Sequence, residues 1–201
     1  MADAMRVFLA VDLRDTLGPA AQAWGRNVAE RLGSRDAASL SWVPASRIHV
    51  TLHFFGELDA PEISALQRAM GDRVPAPPFD LVPGAGGTFP VMGRPRVLWL
   101  GFGAGAESLA RVQAWLEPRI AGIGQPDRHA TFQPHVTVAR VRRDAGRSLG
   151  RPLREAAART PVPTGRIRVH AVTLFESVPL PKAQSYVPLF HVPLDGGGPS
   201  G

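Results

Sequence analysis

The chain of 201 residues contains no cysteine. This absence excludes disulfide bonds, thiolate nucleophiles and cysteine-bound zinc or iron–sulfur centres. Long hydrophobic runs are also lacking, because apolar stretches such as 7–11 and 97–100 are far shorter than the roughly 20 residues that cross a membrane. The first residues include the acidic Asp3 and no apolar core of the kind found in signal peptides. We therefore expect a cytoplasmic protein that has no membrane partner.

Lysine is almost missing as well. Lys182 is the one lysine among 23 basic residues, so the net charge of +6 is carried by arginine. Arginine is suited to bidentate contacts with phosphate, and a basic surface attracts RNA and nucleotides. A GC-rich coding sequence would also enrich arginine, together with the glycine and proline that are abundant here. Composition alone leaves both interpretations open.

One short pattern occurs twice, as His49-Val-Thr-Leu52 and as His135-Val-Thr-Val138, each within a run of β-branched and aromatic residues. Side chains alternate between the faces of an extended strand, so the histidine and threonine of each copy lie on the same face. A single copy is more often ordinary strand composition. Two copies in a chain with only six histidines predict a shared site and an internal duplication.

The hydrophobic pattern predicts strands paired with intervening helices. We expect strands at 6–12, 39–43, 47–55, 79–82, 96–102, 133–141, 165–176 and 184–194, and helices at 16–32, 61–70, 107–123 and 149–159. Asp15 is expected to cap the first helix and Gly33 to end it, and the glycine- and proline-rich stretch 83–95 is expected to form a long loop or an irregular hairpin.

The motif recurs after 86 residues (135 minus 49), which predicts an α+β fold. Two pseudo-symmetric lobes of antiparallel β-sheet, flanked by outer helices, are expected to enclose an active-site cleft between the sheets. We expect residues 1–194 to form a single bilobal domain with interwoven lobes. The glycine-rich tail at 195–201 is expected to be disordered.

Two histidines that face one cleft can act as an acid–base pair, because an imidazole with an ordinary pKa near 6.5 exchanges protons readily near neutral pH. The hydroxyls of Thr51 and Thr137 are suited to bind an anionic oxygen held between the two strands. No carboxylate occurs at a comparable position to complete a triad. The pattern therefore predicts a phosphate ester as substrate.

Three segments carry a family resemblance: Trp42-Val-Pro44, Arg47-Ile-His-Val-Thr-Leu-His-Phe-Phe-Gly56 and Phe132-Gln-Pro-His-Val-Thr-Val-Ala-Arg140. Together with the segments 6–12 and 174–177 and with Tyr186, they resemble the two-histidine phosphoesterase superfamily, in particular its RNA 2′,3′-cyclic phosphodiesterase branch, which is 2′-5′ RNA ligase-like. The resemblance spans roughly residues 6–194. Two departures are His53, where the family usually has lysine, and Lys182-Ala-Gln-Ser, where a glycine-containing turn is usual.

The resemblance implies hydrolysis of a 2′,3′-cyclic phosphate, in RNA or a nucleotide, to a 2′-phosphomonoester without a metal or another cofactor. His135 would activate water as the base, and His49 would protonate the departing 3′ oxygen as the acid. Thr51 and Thr137 would hold the non-bridging oxygens. The pseudo-symmetry of the motifs leaves the two histidine roles interchangeable, and a monomer is expected.

Further substrate contacts are expected around this pair. Arg140 matches the arginine that follows the second motif in the family, although strict alternation places it opposite His135, so it reaches the cleft only if the strand ends or twists there. Aromatic rings stack on any nucleobase, and the candidates for this contact are Phe132, Phe8 and Tyr186. His53 is expected at the rim, on the face shared by His49 and Thr51, and Trp42, Trp99 and Trp115 are assigned to packing.

Three other interpretations remain. The same site run in reverse could join a 2′-phosphate to a 5′-hydroxyl, as in reversible 2′-5′ RNA ligation. A non-catalytic module could use the histidines and threonines to bind an RNA end or a nucleotide. A metal hydrolase could use His49, His53 and His135, although metal sites usually also include a carboxylate or thiolate ligand.

Overall fold

The computed structural model describes residues 4–124, 131–143, 145, 149–180 and 183–195. The strands are β1 (Met5–Asp12), β2 (Leu40–Trp42), β3 (His49–Leu58), β4 (Phe79–Leu81), β5 (Pro83–Phe89), β6 (Val97–Phe102), β7 (His135–Val141), β8 (Ile167–Val169), β9 (Ala171–Leu180) and β10 (Ala183–Pro193). The helices are α1 (Gly18–Leu32), α2 (Ser34–Ala37), α3 (Ala60–Met70), α4 (Ala106–Ile120) and α5 (Gly150–Arg159). A short 3-10 helix, Ala45–Arg47, precedes β3.

Eight strands form one antiparallel sheet in the order β10-β9-β1-β3-β7-β6-β5, with β2 paired to β7. The two motif strands meet at its centre, where Val50 of β3 pairs with Val136 of β7. These valines occupy equivalent positions of the two motifs, so a local two-fold axis passes between them. The predicted α+β fold is confirmed, but the two predicted lobes are halves of one continuous sheet, because β3 and β7 pair at its centre, and the cleft does not lie between two separate sheets.

Each half repeats the same strand register. Residues 10–12 of β1 lie opposite residues 49–51 of β3, and residues 99–101 of β6 lie opposite residues 135–137 of β7. Beyond these pairs each motif strand has one extra residue, Leu52 in β3 and Val138 in β7, that has no opposing residue in the register. The same β-bulge therefore follows the motif in both copies.

The bulge reverses which face the next side chains occupy, because one inserted residue shifts the two-residue alternation. His53 and Ala139 are consequently buried, whereas Phe54 and Arg140 are exposed on the face of the motif histidines. The expectation that His53 lies at the rim beside His49 is therefore wrong. The same shift brings Arg140 to the cleft, which strict alternation did not allow.

The stretch 83–95, expected to form a long loop or an irregular hairpin, begins with the edge strand β5, which pairs with β6 in an antiparallel hairpin that contains a register shift. Its glycines allow two indole rings to lie directly on the backbone: an added Cβ on Gly86 would stand 2.2 Å from Trp24, and one on Gly87 would stand 2.4 Å from Trp99. The glycine content that suggested a loop therefore serves close packing in a strand.

Several predicted boundaries differ from the structure. Asp15 does not cap α1, which begins after Leu17 without a side-chain cap, although Gly33 does end the helix with a φ of 83°. Asp59 caps α3 in a capping box with Glu62, which the sequence reading missed. The strand expected at 165–176 is divided between β8, which pairs with β4 in a separate two-stranded sheet, and β9.

One large hydrophobic cluster joins the sheet to the helices, and a smaller one, formed by Phe8, Ala10 and Phe175, lies on the other face of β1. Alternate residues of β1 contribute to the two clusters, as expected for a central strand. None of the helices in the described residues is long and apolar enough to cross a membrane. Of the tail predicted to be disordered, residues 196–201 lie outside the described residues.

Candidate active site

A cavity of about 860 Å³ opens where β3 and β7 meet. Of the residues singled out from the sequence, seven line it: His49, Thr51, Phe132, His135, Thr137, Arg140 and Tyr186. The repeated pattern and its repeated bulge explain this convergence, because each strand presents its histidine, its threonine and the residue two positions after the extra one, Phe54 or Arg140, to the same space. The volume is in the range of small-molecule and nucleotide sites.

Both motif histidines are oriented by the same contact. Nδ1 of His49 lies 2.8 Å from the carbonyl oxygen of Arg47, and Nδ1 of His135 lies 2.7 Å from the carbonyl oxygen of Gln133. A carbonyl oxygen can only accept, so each Nδ1 carries a proton and donates it. In the neutral rings Nε2 is therefore the basic nitrogen of both histidines.

Thr51 completes the surroundings of the first imidazole. Its hydroxyl lies 3.1 Å from Nε2 of His49. Because Nδ1 of that ring is already a donor, the hydroxyl donates to Nε2 in the neutral state. An anion bound between the strands would offer this hydroxyl a different acceptor, and Nε2 would then be able to take up a proton.

Burial lowers the pKa of His49 from 6.5 to about 4. Desolvation is the main cause, and the nearby charges of His135 and Arg140 act in the same direction. The hydrogen bond to the Arg47 carbonyl and the negative charge of Asp12 oppose the shift. At neutral pH the imidazole of His49 is therefore uncharged in the protein without substrate.

Aromatic rings support each histidine from the side. Phe8 and Tyr186 lie 5.0 and 5.2 Å from the His49 ring between centroids, and Phe89 lies 4.9 Å from the His135 ring. The edge contacts of Tyr186 and Phe89 are nearly perpendicular, at 88° and 82°. Each imidazole is thus held by a carbonyl and by an aromatic ring.

The prediction that Phe8 stacks on a nucleobase is wrong. Phe8 is only 2% exposed and does not line the cavity. The rings of His49 and Tyr186 pack against it. Phe8 therefore positions the site from beneath, whereas Phe132 and Tyr186 remain in contact with the cavity.

Two arginines contribute positive charge. Arg140 reaches the cavity through the bulge in β7, and Arg47 enters it from the short helix before β3. The guanidinium of Arg47 lies 5.9 Å from the centroid of the Tyr186 ring, and its buried Nε has no hydrogen-bond partner among the described residues. Sequence reasoning gave Arg47 no role, although its place two residues before His49 was a usable signal.

Other cavity residues were also missed. Trp42, assigned to packing, is 39% exposed and lines the cavity, as does Phe54, which is 43% exposed. Helix α4 contributes Gln113 and Glu117, and β10 contributes Gln184. Recognising the bulge in β3 would have identified Phe54 as a cavity residue. No pattern in the sequence of α4 indicates which of its faces lines the cavity.

The set His49, His53 and His135, considered above for a metal, is not assembled on one face, since His53 is buried on the opposite side of β3. The described residues contain no cluster of three potential ligands of the His, Cys, Asp or Glu type. Of the segment that departs from the family pattern, Lys182 lies outside the described residues.

The chain is similar in sequence and in fold to known proteins. Residues 19–178 match the model of the 2′-5′ RNA ligase superfamily. A protein of Aeropyrum pernix named RNA 2′,3′-cyclic phosphodiesterase is 28% identical over 82% of this chain and 94% of its own length. One of the same name from Aquifex aeolicus is 31% identical over 68% of this chain and 72% of its own length. The crystal structure of TT0787 from Thermus thermophilus matches with a TM-score of 0.73 at 27% identity, over 96% of this chain and all of that one.

Proposed function

Because the chain belongs to the 2′-5′ RNA ligase superfamily, we propose that its cavity hydrolyses 2′,3′-cyclic phosphates of RNA or nucleotides to 2′-phosphomonoesters without a metal. The names of the two relatives support this activity. The observation that carries the proposal is the matched orientation of the two histidines by the carbonyls of Arg47 and Gln133. Two basic nitrogens oriented in one cavity are what an acid–base reaction at a single phosphorus requires.

In the proposed reaction His135 takes a proton from water as the water oxygen attacks phosphorus. The bond between phosphorus and the 3′ oxygen breaks, and the cationic imidazole of His49 donates its Nε2 proton to that oxygen. One water molecule is consumed, and the product carries its phosphate on the 2′ oxygen. Return of the proton from His135 to His49, directly or through solvent, restores the starting state.

The charge of the substrate prepares His49 for this role. Its pKa of about 4 leaves the imidazole neutral before substrate binds, whereas a histidine that acts as an acid must be cationic. A bound cyclic phosphate places a negative charge between the motifs, which favours the imidazolium form and raises the pKa. The hydroxyls of Thr51 and Thr137 and the guanidinium of Arg140 would hold the non-bridging oxygens.

The test is incubation with 2′,3′-cyclic AMP in the presence of excess EDTA, with the product resolved by chromatography into 2′-AMP and 3′-AMP. We expect turnover that EDTA does not reduce, with 2′-AMP as the product. His135→Ala and His49→Ala should each lower kcat by about 10² to 10⁴, whereas His191→Ala, on an exposed part of β10, should not. A 3′-AMP product would contradict the assigned leaving group.

The two remaining alternatives predict different results. A binding module would show no turnover of 2′,3′-cyclic AMP, and His135→Ala would only weaken its binding of 2′-AMP. A ligase would join RNA ends that carry a 2′-phosphate and a 5′-hydroxyl, but water in large excess favours hydrolysis in the same site. The expected monomeric state and cytoplasmic location remain predictions from the sequence.

A further inference from the structure

Among the described residues that line this cavity, a single carboxylate accompanies the basic side chains. Among the lining residues that the structure describes, the charged side chains besides the histidines are Arg47, Arg140 and Glu117. Glu117 is exposed on α4 and forms no ion pair within the described part of the chain. Gln113, one helical turn earlier, lines the same cavity, so the two side chains are neighbours on one face of the helix.

Glu117 cannot belong to the phosphate end of the cavity, because its charge would repel the substrate there. The phosphate end is formed by β3 and β7, whereas Glu117 and Gln113 come from α4. A cavity of about 860 Å³ has room for more than a cyclic phosphate. The part next to α4 is therefore available to the nucleoside that is attached to the phosphate.

We propose that Glu117 and Gln113 read the base of the substrate and select guanine. This inference rests on the proposed function, since it assigns the base to the same cavity. An ionised carboxylate only accepts hydrogen bonds. Guanine presents two adjacent donors on its Watson–Crick edge, N1–H and the N2 amino group, which match the two carboxylate oxygens of Glu117.

The other bases fit this pair less well. Adenine and cytosine each place one amino group next to a ring nitrogen that is an acceptor, and uracil places its one donor between two carbonyl oxygens. Each would bring an acceptor against the carboxylate of Glu117. Guanine instead has its O6 acceptor beside N1–H, where the amide NH₂ of Gln113 can donate to it.

Stacking would hold the base without contributing to selectivity. Phe132 lies half-buried on the segment before β7, and Trp42 is 39% exposed on β2. Both line the cavity, and aromatic surfaces accept every base. The choice among bases therefore falls to polar residues of the cavity, among which Glu117 of α4 is the one described carboxylate.

The experiment measures kcat/KM for the four 2′,3′-cyclic nucleotides with the wild type, with Glu117→Gln and with Gln113→Ala. The wild type should prefer the guanine substrate by about tenfold to hundredfold, the discrimination typical of a two-bond contact. Glu117→Gln should lose most of this preference, because kcat/KM falls for the guanine substrate and stays equal or rises for the other three, whose acceptors no longer face a carboxylate. The matched control is Glu107→Gln, on the same helix with a side chain that is 94% exposed, which should leave the preference unchanged.

Equal loss on all four substrates, or a wild type without guanine preference, would overturn the assignment. Binding of 2′-GMP and 2′-AMP, measured by calorimetry, separates this inference from the proposed function. If no cyclic nucleotide is hydrolysed but 2′-GMP binds more tightly in a Glu117-dependent way, the base reading stands and the catalytic proposal fails. Equal affinity for the two nucleotides in that case refutes the base reading as well.

Discussion

The unusual protonation of His49 has a consequence for stability that can be measured without substrate. The imidazole has a pKa of about 4 in the folded protein, against 6.5 in an unfolded chain. Folding therefore favours the neutral ring. The stabilisation is fully present above pH 6.5 and is lost as the pH falls towards 4, because protons then bind the unfolded chain more tightly.

The size of the effect follows from these two pKa values. Between pH 7.5 and pH 4.5 the unfolded chain gains a proton at this residue while the folded protein mostly does not, which lowers the free energy of unfolding by about 2.5 kcal/mol. Replacing His49 with glutamine removes the titrating group. The variant should therefore lose less stability on acidification than the wild type, by about this amount.

The assay is urea denaturation of both proteins at pH 7.5, 5.5 and 4.5. Other titrating groups affect both proteins alike, so the difference between the two pH profiles isolates His49. His191→Gln, at an exposed position, serves as the control and should follow the wild type. Parallel profiles for wild type and His49→Gln would refute the reasoning, since they would mean that the imidazole is not desolvated.

Three further predictions concern the ligand, the cleft arginine and the packing of β5. Inorganic phosphate should raise the pKa of His49, so that phosphate and a proton bind together. NMR titration of the imidazole with and without phosphate would measure this shift. An unchanged pKa would mean that phosphate binds away from His49. Arg140→Gln should raise KM for 2′,3′-cyclic AMP about tenfold or more, because it removes a charge-assisted contact with the phosphate. Arg111→Gln, on the exposed side of α4, should leave KM unchanged. Equal effects of the two substitutions on KM would count against a contact between Arg140 and the phosphate. Gly86→Ala should lower the free energy of unfolding by about 1–3 kcal/mol, because the new methyl group would lie 2.2 Å from the indole ring of Trp24. Gly103→Ala is the control, because the nearest atom to its new methyl group is 3.8 Å away, and thermal unfolding of the two variants measures the difference. A Gly86 variant as stable as the Gly103 variant would contradict the close packing.

The site could be recognised from the sequence because its chemistry is local. The alternation of an extended strand is enough to put His49 beside Thr51 and His135 beside Thr137. The repetition of this pattern indicated that the two strands share one site. The α+β class followed in the same way, from short-range hydrophobic periods that report which face of each element is buried.

The wrong predictions for β3 and β7 arose because one inserted residue changes which face the following side chains occupy. A bulge cannot be read from alternation, because the pattern of residues 49–55 is compatible with a regular strand as well as with an extra residue at Leu52. The regular strand puts His53 in the cleft, whereas the bulged strand puts Phe54 there. Which one forms depends on the register with β1, whose residues lie about forty positions earlier in the chain.

The sequence by itself determined the candidate histidines and threonines, the strands that carry them and the general architecture, since each of these depends on neighbouring residues. Only the tertiary structure decided that Arg140 faces the cavity, that Phe8 lies beneath a histidine and that α4 contributes Glu117. These placements depend on contacts between segments that are distant in the chain. Burial by such contacts also sets the pKa of His49, because desolvation is a property of the surrounding fold and not of the residue's neighbours in sequence.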